Sequence, residues 1–330
     1  MLRPLILSLA LTLAALTAPP AARADVAAVV QHHALPGYAT LAEAASALDA
    51  AAQTDCTPAA LAPAWNATFD AWMAVQHLHL GPVEDAGRGL AIHFWPDPKG
   101  RGRAAQRALL AGDPATLTPE TFADQSVAAR GLMALERLLF PGADALQGDT
   151  CTLIRLTTAD LARTTTEIAT LWQQGFATSL TTAGEPGNTR FLSQAEARQA
   201  LLTQLTTGLE QLADQRLGRP LGSFDKPRPD LAEAHASARS LRNVTLSLQA
   251  LRDLTLNLAP DSPKSLAAFD TALARAAALN DPALAGVADP AGRLRIEILQ
   301  QSIRATRDAV LAELPPKLGV GIGFNALDGD

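Results

Sequence analysis

From Asp25 to Leu314 apolar residues recur at helical spacing, and no stretch alternates as a strand would. That period leaves little choice: an all-α chain must bury its stripes helix against helix, as bundles. Ala, Leu and Thr dominate, and the chain has a single Tyr.

Residues 1–24 read as a signal peptide. Arg3 supplies the positive end, Leu5 to Leu16 the apolar stretch, and Ala22-Arg23-Ala24 a small-x-small cleavage site. Cleavage before Asp25 implies a periplasmic or cell-envelope protein. No cysteine follows the site to take a lipid, and no later run is apolar enough to span a membrane. Loss of Arg3 and Arg23 takes the formal charge from −6 to −8. Such acidity argues against nucleic acid as a partner. Cys56 and Cys151, the two cysteines, are expected to form a disulfide in an oxidising compartment.

The reading predicts a helix from Asp25, broken at Leu35-Pro36-Gly37-Tyr38 and resumed to Ala51, with His32 and His33 facing solvent. A second helix runs from Pro58 to Leu80 behind an N-cap at Thr57. Trp65, Phe69, Trp72, Gln76 and His79 fall at i, i+4, i+7, i+11 and i+14 on it. Gln76 and His79 end an aromatic stripe and so become candidates for a cleft. Glu84 to Gly100, with Phe94-Trp95-Pro96, reads as a lid loop, and Trp95 as a binding platform. Later helices are expected over 101–110, 152–178, 193–217, 230–258, 266–279 and 289–314, followed by an extended glycine-rich tail from Gly319 to Phe324. Arg216 projects from the apolar face of its helix. Two helical sets follow, 25–150 and 151–330.

Thr118-Pro119-Glu120 should start another helix, running without a break to Pro141-Gly142. On its wheel Glu136 lies inside the apolar arc, whereas Arg130, Ala134 and Arg137 take the wetter side. A buried carboxylate needs a partner, and Arg216 is the first choice.

Gly131-x-Met133-x-x-Glu136, followed by Leu138-Leu139-Phe140, resembles the G-x-H-x-x-E signature of the imelysin-like family, with Met133 where that signature has His. Trp65 to Pro82 and Trp95-Pro96 resemble it as well. The resemblance implies two four-helix-bundle-like domains with a site in the cleft between them. It further implies a bacterial envelope protein tied to iron uptake, in a family also filed as metallopeptidases. The expected site comprises Gly131, Met133, Glu136, Gln76, His79, Trp95 and Arg216. Glu136 is its one metal candidate, for iron or another divalent ion, and no resident cofactor is assigned. A thioether at 133 suits neither Fe(III) nor a catalytic zinc, and no H-E-x-x-H helix is present. The leading expectation is therefore a non-catalytic binding protein. A small-molecule or glycan-binding module is the first alternative and a metallopeptidase the second.

Overall fold

A computed structural model describes residues 25–142 and 145–321; the signal-like segment and Ile322 to Phe324 of the tail lie outside them. Every described element is helical, apart from one isolated bridge between Ser223 and Lys226. The principal helices are α1 (Leu35–Thr54), α2 (Pro58–Val75), α3 (Arg101–Ala111), α4 (Gly131–Leu139), α5 (Thr150–Leu171), α6 (Gln194–Glu210), α7 (Ser240–Leu258), α8 (Pro263–Leu279) and α9 (Pro290–Leu318). Helices α1, α2, α4 and α5 pack as one four-helix set and α6 to α9 as another, with α7 also lying against α2. One apolar core runs through both sets, centred on buried Tyr38, Trp65, Phe69, Trp72, Trp172 and Phe269.

The Cys56–Cys151 disulfide forms, joining the starts of α2 and α5 with Cα atoms 5.5 Å apart. It ties α5 to the first set, where α5 packs chiefly on α1.

Several helix boundaries differ from the sequence reading. The first helix is not interrupted at Leu35–Tyr38: Val26–Val29, a π-helical turn over Val30–Ala34 and α1 run on without a break. The wide turn accommodates Pro36, which has no N–H to donate. Gly37 is needed there because a Cβ would meet Val75 at 2.3 Å. His32 is exposed as expected, whereas His33 is buried.

Thr118 does cap a helix, through a capping box with Thr121, but that helix covers only Pro119–Ala123. A 3₁₀ turn over Val127–Ala129 intervenes before α4 begins. The break turns Arg130 inward, and its Nε and Nη2 reach Asp160 at 2.8 and 2.9 Å. Ala134 is also buried.

Helix α2 stops at Val75, and a turn carries the chain to Leu80. Helix α6 continues through a π-helical stretch, Gln211–Leu217, and a final turn, Gly218–Leu221. The largest departure lies before α7. The stretch expected to be helical from 230 is an irregular strap over 232–239, with Ala234 and Ala238 at φ +50° and +55°.

Candidate functional site

The aromatic stripe of α2 points to the site. Trp65, Phe69 and Trp72 are buried, and Gln76, just past the helix end, continues the buried face. Gln76 Oε1 accepts a hydrogen bond from Arg216 Nη2. Arg216 reaches this point because the π-helical stretch after α6 turns it inward. Its Nε donates to Glu233 Oε2 at 2.7 Å and its Nη1 to Ser247 Oγ at 2.9 Å. Glu233 Oε2 also accepts from Asn243 Nδ2 at 2.8 Å. Its Oε1 lies 3.3 Å from His93 Nε2, and neither of those two buried atoms has a hydrogen bond.

Arg216, Glu233 and His93 are all nearly inaccessible. Burial pushes the Glu233 carboxyl up, but Arg216 and His93 outweigh it and hold the pKa below its ordinary value. Burial lowers His93 to about 4, with Glu233 opposing the shift. At pH 7 the cluster is therefore an ion pair, Arg216–Glu233, beside a neutral imidazole.

The strap binds a second buried arginine. Arg239 donates to Asn243 Oδ1 at 3.1 Å and to Asp70 Oδ1 at 2.7 Å. Its guanidinium lies 4.5 Å from the Phe69 ring centroid.

The expected Glu136–Arg216 pair does not form. Glu136 is buried, and its Oε1 accepts from Ser237 N at 3.0 Å and Ser237 Oγ at 2.8 Å. Burial raises its pKa, and the two Ser237 bonds counteract only part of that. Arg216 is instead neutralised by Glu233, which the strap brings to it. The two buried carboxylates thus hold the strap at both ends, Glu233 from within it and Glu136 from α4.

Gly131 has a steric role. Its φ is +73°, and a Cβ there would sit 2.2 Å from the carbonyl oxygens of Ala91 and Ile92. Met133 is buried in the core, and the neighbouring Leu132 carbonyl accepts from Trp65 Nε1 at 3.1 Å. The expected half-site for a metal does not assemble around Glu136. Met133 offers only a soft thioether, Ser237 already occupies Oε1, and Gln76 and His79 belong to the Arg216 side. Among the described residues no group of three or more His, Cys, Asp or Glu could hold a metal ion. Around Glu136 the described residues do not fit iron or zinc.

Gln76, His79 and Trp95 do come together. With Trp72, His93 and Gln211 they line a cavity of about 270 Å³. The expected lid, which is not a plain loop but holds a short helix over Arg88–Ile92, supplies one wall through Glu84, Gly87, Gly89 and Leu90, with Val83 just before it. Trp95 precedes a cis peptide bond to Pro96, and the Arg219 guanidinium lies 5.9 Å from its ring centroid. His79 is itself exposed, and partial desolvation and the nearby Arg216 charge lower its pKa. The Arg216 bond to the Gln76 carbonyl oxygen leaves that amide's N–H groups for the cavity.

His33 and His77 form a separate buried pair, with their Nε2 atoms 2.9 Å apart. The sequence reading missed His77, His93, Glu233, Ser237, Arg239 and Asn243. A neutral His or Asn carries no periodic signal, and the stretch Leu231-Ala232-Glu233-Ala234-His235-Ala236 has the composition of a helix.

The comparisons with known proteins fall on this same architecture. The profile of the imelysin family, Peptidase_M75, matches residues 34–310. Iron-regulated protein A of Synechococcus elongatus is 23% identical over 312 residues, 86% of this chain and 83% of that protein. The crystal structure of an imelysin-like protein from Psychrobacter arcticum superposes with a TM-score of 0.70 at 21% identity, covering 92% of this chain and 100% of the other. A candidate iron-regulated protein A precursor from Parabacteroides distasonis gives a TM-score of 0.67 at 14% identity, over 86% and 92%. With the all-helical fold and the Gly131 to Glu136 stretch read alongside a match of that extent, this chain belongs to the imelysin family.

Proposed function

We propose that this protein is an exported, non-catalytic binding protein of the cell envelope, associated with iron uptake and using the cavity beside Trp95 instead of a metal centre at Glu136. The observation that carries the reading is the division of polar groups. Glu136 binds the strap through Oε1, whereas Gln76, His79, His93 and Trp95 converge on one cavity. The likeness to iron-regulated protein A supports the iron association. Residues 1–24 support export, and no helix among the described residues is long and apolar enough to cross a membrane. We place the division between the two helical units in the loop after Thr181, because α5 packs with the first set.

One observation favours a glycan or other neutral small molecule as the ligand. Apart from the exposed Glu84 carboxylate, the polar lining of the cavity consists of two amides and two imidazoles neutral at pH 7, set beside two indoles, and the adjoining Arg216 charge is paired within the protein. Such groups recognise hydroxyls and ring faces better than a net charge.

Calorimetric titration of the mature chain with ferric citrate, Zn²⁺ and a panel of neutral saccharides tests the reading. Binding should be sensitive to Trp95→Ala and indifferent to Glu136→Ala. Tight binding of the metal alone that Glu136→Ala abolishes would overturn it. So would chelator-sensitive cleavage of a denatured protein substrate that Glu136→Gln removes.

A further inference from the structure

Glu233 does not line the cavity beside Trp95, but it governs two residues that do, His93 and Gln76. The first link is direct. Glu233 Oε1 and His93 Nε2 lie 3.3 Å apart, closed to water, and neither atom has a hydrogen bond elsewhere. Arg216 and His93 keep Glu233 ionised at pH 7, and burial keeps His93 neutral. A neutral imidazole turns either an N–H or a bare lone pair to its neighbour. Here a lone pair would meet a negative oxygen at short range with no water between, whereas an N–H is attracted to it. The proton therefore belongs on Nε2, and Nδ1 keeps its lone pair. Phe69 meets the ring edge-on, 5.4 Å between centroids, and Trp72 flanks it at 6.4 Å, so its orientation is held by packing. Of the two ring nitrogens only Nε2 is sealed in without a bond, which leaves Nδ1 as the nitrogen His93 can offer to the cavity.

The second link runs through Arg216. Its Nε donates to Glu233 Oε2 at 2.7 Å and its Nη2 donates to Gln76 Oε1. A guanidinium accepts nothing. Gln76 must turn its carbonyl oxygen to Arg216, and its amide N–H groups away. One buried carboxylate thereby sets opposite polarities on two residues of the same cavity, an acceptor at His93 and donors at Gln76.

We propose that Glu233 is a positioning residue that holds His93 as the Nε2–H tautomer, so that the cavity recognises ligand hydroxyls, which donate to His93 Nδ1 and accept from Gln76 Nε2. A hydroxyl does both, whereas a carboxylate only accepts and an ammonium only donates. The proposal rests on the reading of this cavity as the binding site and adds the direction of its hydrogen bonds.

Nitrogen-15 NMR of the ligand-free mature chain, labelled at histidine, reads the tautomer from the shifts of the two ring nitrogens. The chain has six histidines, and the His93 signals are those lost in His93→Asn. At pH 7 the wild type should show a single Nε2–H form, and Glu233→Gln a mixture of forms. An Nδ1–H form or a mixture in the wild type would overturn the proposal, and that spectrum decides even where Glu233→Gln does not fold. A folded Glu233→Gln that keeps the single form would overturn it as well. A second arm titrates a saccharide that binds, and its monofluoro-deoxy analogues, by calorimetry. Fluorine is close to a hydroxyl in size but cannot donate. At one ring position the exchange should weaken binding about tenfold, as loss of one hydrogen bond does, and the parent saccharide should move the His93 Nδ1 signal. Analogues that all bind like the parent would overturn the proposal. Absence of any saccharide binding beside an intact Nε2–H form would overturn the reading of the cavity, and with it the ligand named here, while confirming the hold of Glu233 on His93.

Discussion

Arg216→Ala should be among the most damaging single changes in this protein, and its cost should depend on pH in a defined direction. The guanidinium holds Glu233, Ser247 and Gln76 together in a region closed to water. Its removal strands Glu233, leaving Asn243 and a neutral His93 beside the carboxylate. A stranded buried carboxylate escapes by taking up a proton. From its ordinary pKa of 4.5 that escape costs about 3.4 kcal/mol at pH 7 and about 0.7 kcal/mol at pH 5. Adding the lost hydrogen bonds, the variant should be less stable by roughly 3–5 kcal/mol at pH 7. In the variant the folded-state pKa of Glu233 lies above its unfolded value. The penalty is therefore absent below about pH 4.5 and grows as pH rises. In the wild type the shift is opposite, so this group's contribution is present above pH 4.5 and lost below. Urea denaturation of both proteins at pH 5 and pH 7 measures the difference. The double variant Arg216→Met, Glu233→Leu should recover much of the loss, since no buried charge remains. A cost below about 1 kcal/mol at pH 7, or a double variant no more stable than the single, would refute the reasoning.

Gly131→Ala should destabilise by at least about 3 kcal/mol, because the left-handed backbone costs 1–2 kcal/mol and two carbonyl oxygens must move; a melting temperature within a degree of wild type would contradict this. Reduction of Cys56–Cys151, which closes a 95-residue separation, should cost roughly 4–5 kcal/mol in the chain-entropy picture, read by denaturation with and without reductant. Burial lowers His33 to about 4 from 6.5, so the unfolded chain binds the extra proton. Stability should be complete above about pH 6.5 and fall towards pH 4, and the double variant His33→Leu, His77→Leu should flatten that slope. Met133→His should gain at most weak zinc binding by calorimetry, because Glu136 remains engaged by Ser237; a tight site in that variant would show that the strap yields to metal.

Much of this protein follows from local pattern. The apolar period of Trp65, Phe69 and Trp72 placed α2 and its buried face, and the period of Leu132, Leu135 and Leu139 did the same for α4. Two cysteines behind a signal-like segment implied their bond, and Pro58 and Pro119 marked helix starts. These signals arise within one or two turns, where backbone geometry and burial are set by neighbours in the chain. That Glu136 and Arg216 are both buried and need partners was equally legible, because a charge on an apolar stripe is costly wherever it lies. Which partner each takes was not. Glu136 meets Ser237 and Arg216 meets Glu233 because residues 232–239 abandon the helix that their alanine-rich composition favours. Two left-handed alanines, Arg239 under the α2 aromatics and Glu233 against His93 hold that strap in place. Such contacts join residues as far apart as Arg239 and Asn66, 173 positions, and their combined free energy overrides a local preference of a few tenths of a kcal/mol per residue. Only the packing of α7 against α2 could decide it.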